Sequence, residues 1–297
     1  MESFESELVE MTQNIIFRKT NDTFQRTLNQ DIKSVRSSNK AFIPADKTRN
    51  MYEMDKDTHD KLLHENITKS YKKCDNNTYN EINREAKQIA TNLGIQDRTT
   101  TLAKKQAFIT MKDHKENFNN APKCRLINPA KSIIGRVSKQ ILETINATTK
   151  EKTQVHQWKN TKSVIDWFKS LEDKSNLNFV QFDIVDFYPS ISEELLMKAI
   201  NYAKGFIGIS QDDLGIIMHA RKSLLFDKGT AWSKKNSDNT FDVTMGSFDG
   251  AEVCELVGLY ILSILSKKYG KSQIGLYRDD GLAAFRSNSQ TSDRIRK

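Results

Sequence analysis

Three aspartates are the chain's clearest candidates for chemistry. Asp183 comes late in the mostly apolar run Asn178-Phe179-Val180-Gln181-Phe182-Asp183-Ile184, and Asp279 and Asp280 stand side by side between two further apolar runs. Carboxylates beside buried strands are costly to desolvate unless something cationic compensates. Acids delivered by two strand ends could hold a pair of Mg²⁺ ions, because hard divalent cations prefer oxygen ligands and Mg²⁺ keeps waters and substrate phosphates in its shell. Two such ions about 3.5–4 Å apart clamp the attacking and leaving oxygens of an in-line phosphoryl displacement. Taken alone, Asp279-Asp280-Gly281 reads as an ordinary turn and Asp183 as a surface residue, so the weight falls on what surrounds them.

The elements needed to position these carboxylates are legible. Asn178 to Ile184 alternates as a strand, with Phe182 and Ile184 on one parity and Phe179, Gln181 and Asp183 on the other. Ser190-Ile191-Ser192-Glu193 fits a capping box, and Leu196, Ile200 and Ala203 continue as the apolar stripe of a helix. Glu252 to Lys268 is apolar almost all round, which predicts a helix inside the fold. Gln273 to Arg278 and Leu282 to Phe285 read as strands with Asp279-Asp280-Gly281 at the turn, since Asp-Gly is a strong hairpin signal. Upstream, Ala107 to Met111 and Lys123 to Ile127 read as two strands around the polar loop His114 to Asn120. Basic residues on both arms of such a hairpin can clamp phosphate. A helical period follows from Ser132 to Ala147, through Ile134, Val137, Ile141 and Ile145. Residues 1 to about 95 are rich in Asn, Thr, Lys, Asp and Glu. Ile82, Ala86, Ile89, Ala90 and Leu93 keep helical spacing there, with Gly94 as a C-cap. That region is expected to be a helical, surface-heavy extension.

Composition limits the classes. At 297 residues the chain has room for one large domain or two ordinary ones, and its 15 Phe and 8 Tyr supply enough apolar material to exclude full disorder. No run of about 18 apolar residues exists to cross a bilayer. The acidic start Met1-Glu2-Ser3-Phe4-Glu5 lacks an apolar secretory stretch. Cys74, Cys124 and Cys254 lie far apart and are odd in number, which fits a reducing intracellular compartment better than a disulfide framework. Residues 1–100 carry 16 basic and 16 acidic side chains, residues 101–150 carry 10 and 3, and residues 151–297 carry 20 and 19. The excess of positive charge therefore sits in one 50-residue stretch. A localised basic surface favours a polyanionic partner through counterion release, although a solvated basic face would look the same.

Four segments together resemble reverse transcriptases. Phe182-Asp183-Ile184-Val185-Asp186-Phe187-Tyr188-Pro189-Ser190-Ile191 looks like motif A, Thr244-Met245-Gly246-Ser247 with the helix after it is similar to motif B, and Tyr277-Arg278-Asp279-Asp280 matches the Tyr-x-Asp-Asp box of motif C. Lys112 to Asn128, ending Lys123-Cys124-Arg125-Leu126-Ile127-Asn128, looks like the fingers motifs upstream. The order agrees with the family, and 279 − 183 = 96 residues separate motifs A and C. The resemblance covers roughly residues 104 to 286. Where many members carry a Pro-containing stretch after motif B, this chain has Phe248-Asp249-Gly250.

The resemblance implies an α+β right-hand polymerase of retroelement type, with fingers and palm and an antiparallel palm sheet backed by helices. Residues 1–95 would be a polar helical extension, 96–160 a fingers-like segment, and 161–297 the palm with inserted fingers elements. The chain ends at Lys297, just past motif C, so it is expected to be truncated before the thumb. The family places Mg²⁺, two ions, with Mn²⁺ as a substitute, on positions matching Asp183, the Ile184 carbonyl, Asp279 and Asp280. Tyr188 falls at the steric gate that selects deoxynucleotides, or else is a packing aromatic. Lys112 and Arg125 match residues gripping the triphosphate, and Gly246 the motif B glycine that lets backbone approach the nucleotide or template. The implied partners are an RNA or DNA template-primer and dNTPs, without a membrane. The implied reaction is RNA-directed DNA synthesis. A non-catalytic or truncated nucleic-acid-binding remnant and an RNA-dependent RNA polymerase stay open beside it.

Other polar residues carry less. His59, His64 and Cys74 lack zinc spacing. His114 lies in the polar loop, where it could approach phosphate but reads first as solvated, His156 and His219 lack partners in the sequence, and Lys234 and Lys235 could touch nucleic acid but read first as a solvated loop. No Gly-rich phosphate loop and no Ser/His/Asp or Cys/His arrangement is present.

Overall fold

The computed structural model describes residues 2–13, 23–75, 77–100, 104–235 and 240–286. The C-terminal residues on which the expected truncation rests lie outside them. The chain is α+β. Its strands form a four-stranded sheet, a three-stranded sheet and two hairpins.

The four-stranded sheet runs in the order β6 (His156–Gln157), β10 (Ile274–Tyr277), β11 (Asp280–Arg286), β7 (Leu177–Asp183). β7 and β11 are antiparallel and paired over seven residues each, from Leu177 opposite Arg286 to Asp183 opposite Asp280. β6 joins β10 in parallel, a two-residue addition at the far edge. The chain supplies apolar residues where one face is covered: Val180, Ile274, Leu276, Ala283 and Phe285 are buried together with Leu259 and Leu262 of the helix behind.

That helix is α10 (Gly250–Tyr269). The all-round apolar pattern holds: Val253, Cys254, Leu256, Val257, Leu259 and Leu262 have no exposed surface. Each large apolar side chain so buried is worth about 1.5–3 kcal/mol. α10 packs on the sheet and also on α5 (Gly135–Thr153) and α8 (Glu193–Ala203). Leu142, Leu196, Ile200 and Val257 meet in that layer, and α9 (Gln211–His219) adds Ile217. The cap of α8 differs from its expected position by two residues. Ser192 is the N-cap, its side chain accepting from the Leu195 N–H, while Ser190 lies in the one-turn helix α7 (Phe187–Ser190).

The second core mixes distant parts of the chain. β1 (Lys40–Pro44) and β2 (Met51–Asp55) form a hairpin, followed by α3 (Lys56–Ser70) and β3 (Tyr71–Lys73). β3 joins β9 (Thr230–Lys234), which pairs in turn with β8 (Leu225–Asp227). Ile43, Leu63 and Ile67 from the N-terminal part bury against Ile109 and Met111 of β4 (Phe108–Met111) and against Leu225 and Trp232. β4 pairs with β5 (Cys124–Ile127) as expected. The expectation of a helical, surface-heavy extension omitted strands: besides the helix α3, residues 40–73 contribute three strands and a shared core. α4 (Asn77–Asn92) is the helix predicted from Ile82 onward, and Gly94 follows it at φ +62° as the C-cap spacing suggested. Among the described residues no helix is long and apolar enough to cross a membrane.

Candidate active site

Backbone pairing brings the three aspartates together. Asp183 ends β7, Asp280 begins β11, and the two are direct cross-strand partners. Direct partners carry their side chains on one face with Cβ atoms about 4.5–5.5 Å apart. Asp279 is tied to the same point, because its carbonyl accepts the Ile184 N–H at 2.9 Å. The turn differs from the one expected. Arg278 and Asp279 make it, with Arg278 in the left-handed region at φ 55°, and Tyr277 opposite Asp280 closes it. Gly281 is not a turn residue. It lies in β11 facing Phe182, where a Cβ would come within 2.1 Å of the Phe182 ring. The Asp-Gly signal was therefore real for a different reason: glycine leaves room for an aromatic across the ladder.

The site's electrostatics follow from this crowding. Asp280 has its carboxyl pushed up, first by burial and then by Asp279 and Asp183, with Lys47 acting in the opposite direction. Like charges so placed favour a cation between them. Among the described residues no three His, Cys, Asp or Glu side chains form a ready metal-binding group. The donor set still fits a hard divalent ion: partly exposed carboxylates on adjoining backbone positions that would share the ion with water and phosphate oxygens.

Tyr188 lies five residues beyond Asp183 on α7, following Asp186 at φ 50°. It is half-buried and packs with Ile184 against the layer around α10. It lies close enough to the Cys254 thiol for each group to perturb the other. Burial, followed by Cys254, pushes the phenol up to about 12, and burial pushes the thiol up to about 12 as well. Both are therefore neutral in neutral water. Asp279 also raises the phenol's value and Arg278 lowers it, so the ring is within electrostatic reach of the motif C turn. The gate and the packing readings of Tyr188 are both compatible with this place.

Lys112 and Arg125 share one face of the β4–β5 hairpin. Arg125 pairs with Thr110, two residues before Lys112, and the Lys112 N–H donates to the Lys123 carbonyl at 2.8 Å. Arg125 is held by Asp46, with Nη1 3.0 Å from Oδ1. Burial and then Arg125 lower the Lys112 ammonium's pKa, while Asp46 and Asp186 raise it. Asp186 belongs to the segment between β7 and α7.

Gly246 sits at φ +110°, and a Cβ there would stand 2.7 Å from the Asn128 carbonyl oxygen. A left-handed backbone and close approach of a neighbouring chain both call for glycine. Asn128 is itself fixed, donating to the Leu224 carbonyl at 3.2 Å and accepting the Ala130 N–H at 3.0 Å. Gly246 thus joins the loop before α10 to the end of the β4–β5 hairpin.

Several participants escaped the sequence reading. Arg221 and Asp249 form a fully buried ion pair at the start of α10, and Ser138 of α5 donates to the second Asp249 oxygen. Phe248 is flanked by Lys131 at 4.4 Å and Arg136 at 5.0 Å from the ring centroid. Lys234 is held in place, whereas Lys235 is exposed. Lys234 lies 3.3 Å from Asp242 and donates to the Pro189 carbonyl at 2.7 Å, and Lys235 donates to the Thr68 carbonyl at 2.5 Å. His219 is buried with Glu85 3.2 Å from its Nε2, and His64 lies edge-on to Trp232.

No protein-family model and no curated protein sequence matches this chain. Solved structures do. Apo telomerase from Candida tropicalis, truncated from its C-terminal domain, superposes with a TM-score of 0.55 at 13% identity over 86% of this chain and 53% of that one. Telomerase from Candida albicans, in complex with the TWJ fragment of telomeric RNA, gives 0.56 at 11% identity over 92% and 48%. This chain spans about half the length of those structures, and at such identities the likeness speaks for the fold, which is polymerase-type and reverse-transcriptase-like.

Proposed function

We propose that this chain carries an RNA-directed DNA polymerase site of retroelement type, working inside the cell on an RNA or DNA template-primer with dNTPs. The observation that carries the reading is the cross-strand register of Asp183 and Asp280, with Asp279 bonded to the same backbone through Ile184. The reaction is attack of a primer 3′-oxygen on the α-phosphorus of a dNTP: that O–P bond forms, the bond to the β-phosphate bridge breaks, pyrophosphate leaves, and the hydroxyl proton passes to water.

The chain's own residues have separable tasks. Asp183 and Asp279, with Asp280 beside them and the Ile184 carbonyl in line, would hold Mg²⁺, or Mn²⁺ in its place. Bound divalent cations supply charge neutralisation at the attacking and leaving oxygens. Lys112 and Arg125 bind the phosphates, Arg125 through a planar fork suited to two phosphate oxygens. The Tyr188 ring lies under the sugar and clashes with a 2′-hydroxyl. Gly246 keeps the motif B loop close to the bound strand.

A nucleic-acid-binding remnant without catalysis is the second reading, favoured by the 10 basic against 3 acidic residues in 101–150. It requires salt-sensitive binding of RNA or DNA without incorporation. Primer extension with purified protein separates the readings. Wild-type incorporation of dNTP, lost in Asp279→Asn, supports polymerisation, and no difference between the two proteins refutes it. Equal use of rNTP and dNTP by the wild type, unchanged in Tyr188→Ala, would point instead to RNA synthesis.

A further inference from the structure

We infer that two interior ion pairs, Arg221 with Asp249 and Lys234 with Asp242, act as a brace that fixes the Tyr188 ring and so sets how strictly the site selects the nucleotide's sugar. The inference rests on the nucleotidyl-transfer reading and on the gate place given there to Tyr188. It adds positioning residues that the resemblance to reverse transcriptases does not supply.

The first pair fixes the seat of the ring, which is the first turn of α10. A Cβ at Gly250 would stand 3.7 Å from Tyr188 Cε1, and Cys254, one turn further on, belongs to the layer on which the ring packs. This turn has no slack toward the loop before it, because the same Cβ would come 2.6 Å from Ser247 Oγ and 2.8 Å from the Thr244 carbonyl oxygen. Asp249 immediately precedes Gly250 and is fully buried, as is Arg221. One Asp249 oxygen meets the Arg221 guanidinium, and the other accepts the Ser138 hydroxyl of α5. The start of α10 is therefore pinned to α5 and to the segment after α9.

The second pair fixes the backbone that carries the ring. α7 is a single turn, so carbonyls at its end lack partners within it. Lys234 donates to one of them, the Pro189 carbonyl, at 2.7 Å, one residue beyond Tyr188. Lys234 is held in turn by buried Asp242, 3.3 Å away, and its cross-strand partner Tyr71 donates to the other Asp242 oxygen at 2.7 Å. The two pairs are joined through backbone, since the Asp242 N–H donates to the Arg221 carbonyl at 2.9 Å. Seat and backbone thus belong to one polar network. Deep ion pairs cost much desolvation and add little stability over apolar packing, so what this network contributes is a single geometry. A ring fixed at both seat and backbone cannot yield to an added 2′-hydroxyl, and loosening either side lets it yield.

The test uses the full chain as wild type, Lys234→Met, Lys234→Arg, Asp249→Asn, Tyr188→Ala, the double variant Lys234→Met with Tyr188→Ala, and Lys162→Met, which removes an exposed lysine of the helix Thr161–Ser170. Ser138→Ala keeps the buried pair and takes the place of Asp249→Asn if that variant does not fold. Primer extension gives kcat/KM for dCTP and for CTP, and ¹⁹F NMR of 3-fluorotyrosine-labelled protein follows the resonance that Tyr188→Ala removes. Lys234→Met and Asp249→Asn should each cut the preference for dCTP about tenfold, the weight of one charge-assisted bond, and should shift or broaden the Tyr188 resonance. Lys234→Arg should keep most of the preference and Lys162→Met all of it. The double variant should discriminate no worse than Tyr188→Ala, because residues acting through one ring do not add. An unchanged preference in folded Lys234→Met, where Tyr188→Ala loses it, overturns the inference and leaves the polymerase and gate readings intact. A double variant worse than Tyr188→Ala overturns it too, and so does an unmoved Tyr188 resonance in the folded brace variants. Full preference in Tyr188→Ala sinks the gate and the inference together. A wild type that extends no primer sinks the polymerase reading, and the sugar-selecting role falls with it.

Discussion

The two halves of the candidate site are held in different ways. On the side of the four-stranded sheet, position comes from the backbone: Asp183, Asp279 and Asp280 are brought together by a seven-residue ladder and one further N–H···O bond. On the side of the β1–β2 and β4–β5 hairpins, side chains add to the backbone pairing: Arg125 on Asp46, and three donors on one oxygen of Asp113. Ladder bonds are cooperative and mostly blind to sequence, so a carboxylate at a strand end inherits the rigidity of the sheet. Side-chain anchors are individual, each worth roughly 0.5–1.5 kcal/mol net, and a loop so held can open without the domain unfolding. One half is thus a fixed acidic floor and the other an adjustable basic cover.

Removing a determinant of the four-stranded sheet should cost more than removing an anchor of the hairpins. Gly281→Ala forces a methyl group into the Phe182 ring and should destabilise by about 1–3 kcal/mol, as overpacking does, with the shift felt at neighbouring Asp183. Gly208→Ala, where nothing lies within 4 Å of the added carbon, should be neutral or slightly stabilising. Urea denaturation of the pair measures the difference, and equal midpoints would remove the role given to Gly281.

Asp113→Ala should cost less global stability, about 1 kcal/mol, because Thr48, Asn50 and Tyr52 are near enough to solvent to find water. Its signature should be local: faster amide exchange at residues 46–50 with little change in the sheet. Uniform loosening of both regions would erase the contrast between floor and cover.

The smallest effect concerns Asp280. Its folded-state pKa is raised, so the folded protein binds this proton more readily than the unfolded chain does. That favourable contribution is complete below the ordinary carboxylate range and is lost as pH rises through the folded-state value. Ionised Asp280 is therefore a cost at neutral pH. Asp280→Asn should raise stability at pH 7 by on the order of 0.5 kcal/mol and give no gain near pH 3. Added Mg²⁺ should narrow the pH 7 difference by stabilising the wild type alone. A gain independent of pH would contradict the like-charge account.

The four-stranded sheet and its helix were the readable half. Alternation in Asn178–Ile184 and the apolar helix after Gly250 are strong local signals, and each turned out to be an element of the expected kind. The basic cover was not readable in full. Lys40–Pro44 and Met51–Asp55 alternate in burial, but Phe42 and Met51 stand on the exposed face, so the alternation is hidden in the sequence. Their anchor residues Asp46 and Asp113 lie 67 positions apart and look like surface charges. Arg221 and Asp249 hide in the same way, since a buried ion pair leaves no local trace. Asp-Gly misled on the turn because glycine serves close packing as well as left-handed backbone.

The central claim is that the aspartates of β7 and of the β10–β11 turn act as one catalytic unit. Single-turnover primer extension with Asp183→Asn, Asp279→Asn and the double variant tests it most directly. Groups that act together are strongly non-additive. Each single change should lower incorporation by on the order of 10³-fold, and the double change should lower it little further. Losses that multiply, or a single variant that extends primer as the wild type does, would contradict the account.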